Sequence, residues 1–382
     1  MPSLIRDRSA SSAAMLAVFG DEALLDAALR FEASLAQAQA DVGVIDQASA
    51  ACIAAACLER PDVDLLAEAA AHAGTLAIPL AEIIRRRIDD PTIAKRVHKG
   101  ATSQDLADTA LMLQAKAGSA LIVEEARRLA DALAVLAERH AATPMLGRTL
   151  LQGALPITFG LKVAGWLQGV AGALARFERE TAAIQLQLGG ATGSLAGLDG
   201  QAQAVVERLA QLLDLPPATT PWHARREGLA GLASSLTILT GAVGKIAGDI
   251  ALLAQGEVAE AFEPRVAGRG GSSAMAHKRN PTGCQVALSA AIRAPHLAAT
   301  ITAALPQQHE RGLGGWQAEA PVLADLFQLT HGALAAMAPV IEGLEVDTDR
   351  MTANLAAAKV GTDAGESEAL TSRALAAYRK DR

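Results

Sequence analysis

The sequence predicts an all-α protein built around long, closely packed helices. Strand signals are nearly missing: no sustained alternation of β-branched and polar residues occurs, and no Asn-Gly turn joins such runs. Apolar residues instead recur at three- and four-residue steps through most of the 382 residues. The chain is 51% hydrophobic but only 3% aromatic, so its core must be filled with small aliphatic side chains. That composition favours helices lying close together and excludes disorder.

Each element follows from local pattern. Between Asp21 and Val42, the residues Leu24, Leu25, Ala28, Phe31, Leu35 and Ala38 mark one buried face of a helix with a solvent side. Thr102 to His140 reads as one long helix. Thr102 with Asp105 offers a capping-box start, Gly118 alone interrupts, and Thr143-Pro144 stops it. A second long helix is expected from near Pro156 to Leu188, ending at Gly189-Gly190, and a third from roughly Trp222 to Glu260. In the third, LASSLTILTGAVGKIAGDIALLAQ is apolar or small on almost every face, which predicts burial all round at the centre of a bundle or oligomer. Gly160, Gly165, Gly169 and Gly172, then Gly241, Gly244 and Gly248, each cost about 1 kcal/mol inside a helix. Close approach of neighbouring helices, within or between subunits, is the expected compensation.

Charge narrows the class of ligand. With 34 basic against 41 acidic residues and a net charge of -7, no broad basic field exists for nucleic acid or an anionic membrane. An anionic ligand must be met by local positive charge. The longest charge-free stretches, Gly228 to Gly244 and Ala182 to Leu198, are rich in Gly, Ser and Thr, so neither is expected to form the ~20-residue apolar span a bilayer needs. Cys52, Cys57 and Cys284 are odd in number and lack C-x-x-C spacing, which fits a reducing, cytoplasmic setting. Arg6 and Arg8 before the apolar run Ala13 to Phe19 hint at a signal peptide, but Asp7 interrupts the basic region and no A-x-A site follows.

Four segments between the helices carry candidate chemistry. RVHKGATSQDLADTA gathers His98, Lys99, Thr102, Ser103 and Gln104 at the start of the first long helix, where unpaired N–H groups and the helix dipole favour an anion. GRTLLQGALP, read as a helix–helix connection, carries Arg148, Thr149 and Gln152. AGRGGSSAMAHKRNP is the least ordinary piece: Gly268, Gly270 and Gly271 form a hinge before Ser272 and Ser273, with Met275, His277, Lys278, Arg279 and Asn280 close behind. A mobile arm bringing a hydroxyl, a cation and an amide over a bound anion is a way to close a site. QQHERGLGGWQAEAP adds His309, Glu310, Arg311 and Trp316. Its H-E pair is not a zinc motif, because H-E-x-x-H fails at Leu313. Neither a metal nor a cofactor is expected.

Together these segments closely resemble the fumarase/aspartase superfamily, whose loop G-S-S-x-M-P-x-K-x-N-P appears here as Gly271 to Pro281 with Ala276 in place of the Pro. The resemblance runs from about Met15 to Val340, including VFGDEALLDAALRFEASLAQAQADVGVI. Within it, AHKRNP, GRTLLQGALPITFGLKVAGW and HERGLGGWQAE look like the 3-carboxy-cis,cis-muconate cycloisomerase branch; the adenylosuccinate lyases are its nearest neighbour. The resemblance implies a three-part fold: an N-terminal helical domain over 1–101, a long-helix bundle over 102–345 carrying the mobile catalytic loop 267–281, and a short C-terminal helical remnant over 346–382. It implies homotetramers whose sites are shared between three subunits. It implies further that Ser272 transfers a proton, that Lys278 and Asn280 bind carboxylate and order the loop, and that Thr102 and Ser103 bind a second carboxylate. His98, Arg148, Thr149 and Gln152 also match family positions. Many relatives place a His where Leu150 and Gly153 stand, so His98 or His309 is left as the other proton-transfer candidate. The implied substrate is a small tricarboxylate. A fumarate-releasing lyase and a non-catalytic structural member are the alternatives.

Overall fold

The computed structural model describes residues 4–380 apart from 272–274 and 276–277. The N-terminal part is a set of helices: α1 (Leu4–Ala10), α2 (Ala13–Val18), α3 (Asp21–Asp41), α4 (Gln47–Ala56), α5 (Val63–Ala73), α6 (Ala77–Arg86) and α7 (Pro91–Ala94). The face expected of α3 is the buried one, with Leu25, Ala28, Phe31, Leu35 and Ala38 inside and Leu24 half-buried. Five long helices follow: α8 (Ser103–Arg139), α9 (Phe159–Ala182), then, after α10 (Ala202–Leu213), α11 (Glu227–Leu253), α12 (Thr282–Ala303) and α13 (Gly315–Glu342). Each of the five packs on the next, and α13 returns to α8, closing the bundle. Two short helices, α14 (Thr348–Ala358) and α15 (Ser367–Lys380), fold back on it.

Small residues set the packing. Gly118, the glycine inside α8, lies where a Cβ would come 3.0 Å from both Phe19 and Phe327. At Gly160 a Cβ would meet the Ala141 backbone at 2.6 Å, and at Gly244 the Ala291 methyl at 2.5 Å. Close helix approach therefore explains these two. Gly165, Gly169 and Gly241 face open space in the protomer, so helix contact within one chain does not explain them.

Several expectations need correction. The second long helix starts at Phe159 and stops at Ala182, because Pro144–Thr149 (β1) and Gln152–Thr158 (β2) form an antiparallel hairpin instead of a helical connection. Its two-residue turn, Leu150-Leu151, has φ of 51° and 63°, a conformation usually given to Asn-Gly. A second small ladder joins Ala261–Phe262 (β3) to Glu345–Val346 (β4). The third long helix is shorter than expected, and in the protomer it is not buried all round: Ser234, Ile238 and Gly241 form an exposed stripe. Finally, α8, α11 and α12 are each long and apolar enough to cross a membrane, contrary to the expectation from charge-free stretches. Much of their apolar surface faces neighbouring helices, least so in α12, where only 28% of the apolar window is buried.

Candidate active site

Candidate residues lie at both ends of the bundle. Helix α8 has 37 residues, which at 1.5 Å per residue is about 55 Å. Its N-terminus carries the Thr102 segment and its C-terminus leads into the hairpin. The up-down order of the helices brings the turns around 187–226 and 304–319 to the first end, and those around 254–281 and 342–351 to the second. Arg226 joined to Asp108 and Glu319 marks the first; Arg128 joined to Glu342 lies toward the second.

At the first end the fully buried carboxylate of Asp105 is the organiser. It accepts the backbone N–H groups of Thr102 (2.8 Å), Gly189 (2.8 Å) and Gly190 (2.9 Å), and lies 2.7 Å from His223 Nε2. With its oxygens so engaged, it fixes the T-S turn to the Gly189-Gly190 turn. The Thr102 hydroxyl accepts a hydrogen bond from Arg311 Nη1 at 2.5 Å, which unites the first and fourth sequence segments. Ser103 is half-buried at the first helical position. Gln104 is fully buried, and its Nε2 donates to the His223 carbonyl at 3.0 Å. Its Oε1 is buried without a hydrogen-bond partner among the described residues, so in the protomer one end of the amide braces the His223 segment and the other is unpaired.

His98 is held nearby. Its Nδ1 lies 2.5 Å from Glu32 Oε1, and the backbone adopts a left-handed φ of 63°. His309, also left-handed at φ 49°, is exposed on the α12–α13 turn. Thus the two histidines share one end of the bundle with Thr102 and Arg311.

At the second end Arg148 forms a bidentate pair with the buried Glu260, Nη1 to Oε2 at 2.8 Å and Nη2 to Oε1 at 2.7 Å. Asn354 of α14 donates to the same carboxylate at 2.8 Å. In the protomer the guanidinium thus holds the hairpin against the approach to β3. Thr149 and Gln152 are exposed at the hairpin tip.

The Gly-Ser-Ser loop leaves from this same end. Ser272, Ser273 and Ala276 lie outside the described residues. The neck of the loop is well defined: Asn280 N–H donates to the Gly270 carbonyl at 2.8 Å, and Asn280 Nδ2 to the Gly271 carbonyl at 3.3 Å. Gly270 has φ 72°, and a Cβ there would lie 2.6 Å from the Asn280 carbonyl oxygen, so only glycine suits the position. Met275 and Lys278 are exposed, and Lys278 N–H donates to the Met275 carbonyl. Lys278 and Asn280 line an open cavity of ≈ 320 Å³ with Arg265 and Arg269. Arg279 stacks 5.2 Å from the Phe262 ring and pairs with Glu345 at 2.9 Å, pinning the loop exit.

The candidate residues thus fall into two groups about 55 Å apart along α8. Among the described residues no hydrogen bond joins them. Sequence reasoning missed Glu32, His223 and Glu260. Each is a buried partner far along the chain, and no local motif marks it.

A closed bundle of long helices with a Thr-Ser segment at one end and a Gly-Ser-Ser loop leaving the other defines the architecture of the fumarase-type lyases. Comparison agrees: a family model described as lyase matches residues 7–295. A 3-carboxy-cis,cis-muconate cycloisomerase of Bradyrhizobium diazoefficiens is 48% identical over 90% of this chain and 77% of its own length. A nitrosuccinate lyase of Streptomyces davaonensis is 42% identical over 89% and 74%. The crystal structure of the 3-carboxy-cis,cis-muconate lactonizing enzyme from Pseudomonas putida superposes with a TM-score of 0.92, at 36% identity and 99% coverage of both chains. The chain belongs to this lyase family of the fumarase/aspartase superfamily.

Proposed function

We propose that the protein is a 3-carboxy-cis,cis-muconate cycloisomerase that forms 4-carboxymuconolactone in protocatechuate breakdown by the β-ketoadipate route. The observation that carries this reading is the 48% identity, across nine-tenths of the chain, to a cycloisomerase. In the reaction a substrate carboxylate oxygen attacks the conjugated alkene. The C–O bond forms, the π electrons move onto the carbon next to another carboxylate, and the resulting aci-carboxylate is protonated at carbon. No oxidation state changes overall, so the chemistry calls for charge stabilisation and one proton.

This chain's residues suit that task. Thr102, Ser103 and Arg311 offer donors and a cation at the helix N-terminus, where a developing aci-carboxylate is best stabilised; such donors are each worth on the order of 10² to 10³ in rate. Lys278 and Asn280 bring a cation and an amide on the loop. Ser272 is the proposed proton-transfer group and His309 the solvent-exposed alternative, either contributing about 10² to 10⁴.

The same reading makes the active assembly a homotetramer with sites shared between three subunits. Two findings support it: the groups the chemistry needs lie at opposite ends of α8, and α11 and α12 leave apolar residues such as Ile238 and Ile292 exposed. The division into 1–101, 102–345 and 346–382 and a cytoplasmic setting belong to this reading too, the latter supported by three free cysteines. A second reading, a lyase of the same family acting by elimination, has the nitrosuccinate lyase relative behind it.

Ultraviolet absorbance separates the two. Loss of the diene band of 3-carboxy-cis,cis-muconate without added metal supports the cycloisomerase. A flat trace, with turnover of nitrosuccinate or adenylosuccinate in parallel assays, moves the protein to the elimination branch. Subunit sharing is tested by co-assembling an inactive Arg311→Met chain with an inactive Ser272→Ala chain. If each site draws these residues from different copies, random mixing restores about a quarter of wild-type activity; if one copy supplies both, it restores none.

A further inference from the structure

Glu32 is a buried carboxylate that the reaction does not account for. It lies on the inner face of α3 with no exposed side-chain surface. Its Oε1 is 2.5 Å from His98 Nδ1, and its Oε2 is buried without a hydrogen-bond partner. Burying an oxygen in this way is costly, and an apolar residue of similar size is the cheaper filling for a position with only a packing role. On the other side of the ring, His98 Nε2 has no hydrogen-bond partner among the described residues, and the side chain keeps 14% of its surface exposed. The left-handed backbone at His98 is a second departure from the cheapest local structure. It falls four residues before Thr102, whose hydroxyl is held by Arg311.

We propose that Glu32 is a positioning residue: it accepts a hydrogen bond from the Nδ1–H of His98 and so turns Nε2 outward to meet a substrate carboxylate beside Thr102 and Arg311. The inference rests on the proposed function for the identity of that carboxylate, but not for the Glu32–His98 contact itself.

Protonation decides what Nε2 presents. A neutral ring with hydrogen on Nδ1 shows a lone pair at Nε2, which repels a carboxylate; the imidazolium donates on both sides. The groups around the ring are Glu32 from α3, Asp105 from α8 and Arg85 from α6, while Cys57 at the end of α4 and Arg87 after α6 act on the same pocket through Glu32 and the Cys57 thiol. Burial opposes the charged ring, but the charge and hydrogen bond of Glu32, helped by Asp105, outweigh both burial and Arg85, and the His98 pKa is raised. Cys57 does not compete, because burial and then the Glu32 charge push its thiol up to about 12. The donor form of His98 is therefore present below its raised pKa and lost as pH rises through it.

The test compares wild type with Glu32→Gln, which keeps the shape and removes the charge. Imidazole NMR of the ¹⁵N-histidine-labelled protein without substrate, with His98 assigned by loss of its signal in His98→Gln, reads the tautomer and the titration midpoint. The expected result is hydrogen on Nδ1 in neutral wild-type His98 and a midpoint displaced to lower pH in Glu32→Gln. With 3-carboxy-cis,cis-muconate, the KM of Glu32→Gln should rise roughly tenfold or more while kcat falls much less, as for loss of a charge-assisted contact to bound substrate. Its alkaline limb in kcat/KM should move to lower pH. An Nε2–H tautomer in wild type, an unmoved midpoint, or an unchanged KM overturns the proposal; the tautomer needs no variant to fold. If wild type leaves carboxymuconate untouched while the NMR result is as expected, the proposed function fails and the Glu32 hold on His98 stands.

Discussion

The buried cluster of Arg226, Asp108 and Glu319 makes a quantitative prediction. All three are shielded from water, with Arg226 and Glu319 at 0% side-chain exposure. Arg226 grips Asp108 through two 2.8 Å hydrogen bonds and Glu319 through Nε and Nη2, while its guanidinium lies 4.8 Å from the Trp222 ring centroid. One cation against two carboxylates leaves a net negative charge in the core. Burial, opposed by the hydrogen bonds and charge of Arg226, raises the Glu319 pKa. Replacing Arg226 by Met strands both carboxylates, and breaking a buried pair typically costs about 3–5 kcal/mol. Glu319→Gln instead keeps an acceptor for Arg226, relieves the excess charge, and should stay within about 1 kcal/mol of wild type. The pH dependence has a definite sign. An acid whose pKa is raised on folding binds more protons folded than unfolded, so stability falls as pH rises from the ordinary value of 4.5 through the folded pKa. Wild type should therefore gain stability relative to Glu319→Gln on going from about pH 8 to about pH 5. Urea unfolding at fixed protomer concentration measures this. The reasoning fails if Glu319→Gln costs as much as Arg226→Met, or if the two pH profiles are parallel.

Three further outcomes follow from named contacts. Ser272→Ala should lower kcat by at least about 10² with the assembly unchanged by light scattering, as for loss of a positioned proton-transfer group; near-normal turnover removes Ser272 from the mechanism. Arg148→Lys loses the fork that holds the buried Glu260, leaving Asn354 alone on it, and should cost about 1–3 kcal/mol, with faster amide exchange in residues 144–158. Gly160→Ala forces a Cβ to 2.6 Å from the Ala141 backbone and should cost about 1–3 kcal/mol, whereas Gly165→Ala meets nothing within 4 Å and should gain up to about 1 kcal/mol. Thermal unfolding distinguishes the two, and a loss at Gly165 would mean that another copy covers that face.

The elements that were legible in the sequence are those whose signals are local. Helix α8 begins where Thr102 and Asp105 indicate, since the Asp105 carboxylate accepts the Thr102 N–H, and α3 buries the face its periodicity marks. The hairpin was not legible. Its strands PMLGRT and QGALPIT do not alternate, and its turn is Leu-Leu at positive φ; what holds it is the Arg148–Glu260 clamp, made 112 residues away in sequence. Two candidate residues have structural partners that the sequence does not announce. Gln104 and Arg148 read as ligands in one dimension because both are polar and stand beside other candidate donors. The partners that bind them, the His223 carbonyl and Glu260, belong to segments with no shared motif, so these contacts emerge only from the tertiary structure.

The same separation bears on the assembly. A rigid helix of 37 residues cannot bend so as to bring its two ends to one ligand. On the proposed reading, the Thr102–Arg311 anion site and the Gly-Ser-Ser loop come from different copies, lying antiparallel so that opposite ends meet. Antiparallel copies in turn require a face on which long helices can pack, and α11 and α12 offer such faces, with Ser234, Ile238 and Gly241 on one and Ile292 on the other. Small residues there allow the helices to approach closely, which gives a reason for keeping Gly241 where the protomer itself fills no space. On the proposed reading, the apolar excess that sets three helices near the hydropathy of membrane spans is then the counterpart of the split site: association covers that surface and completes the chemistry in one step. A variant that stays folded but monomeric should lose turnover far more than it loses stability.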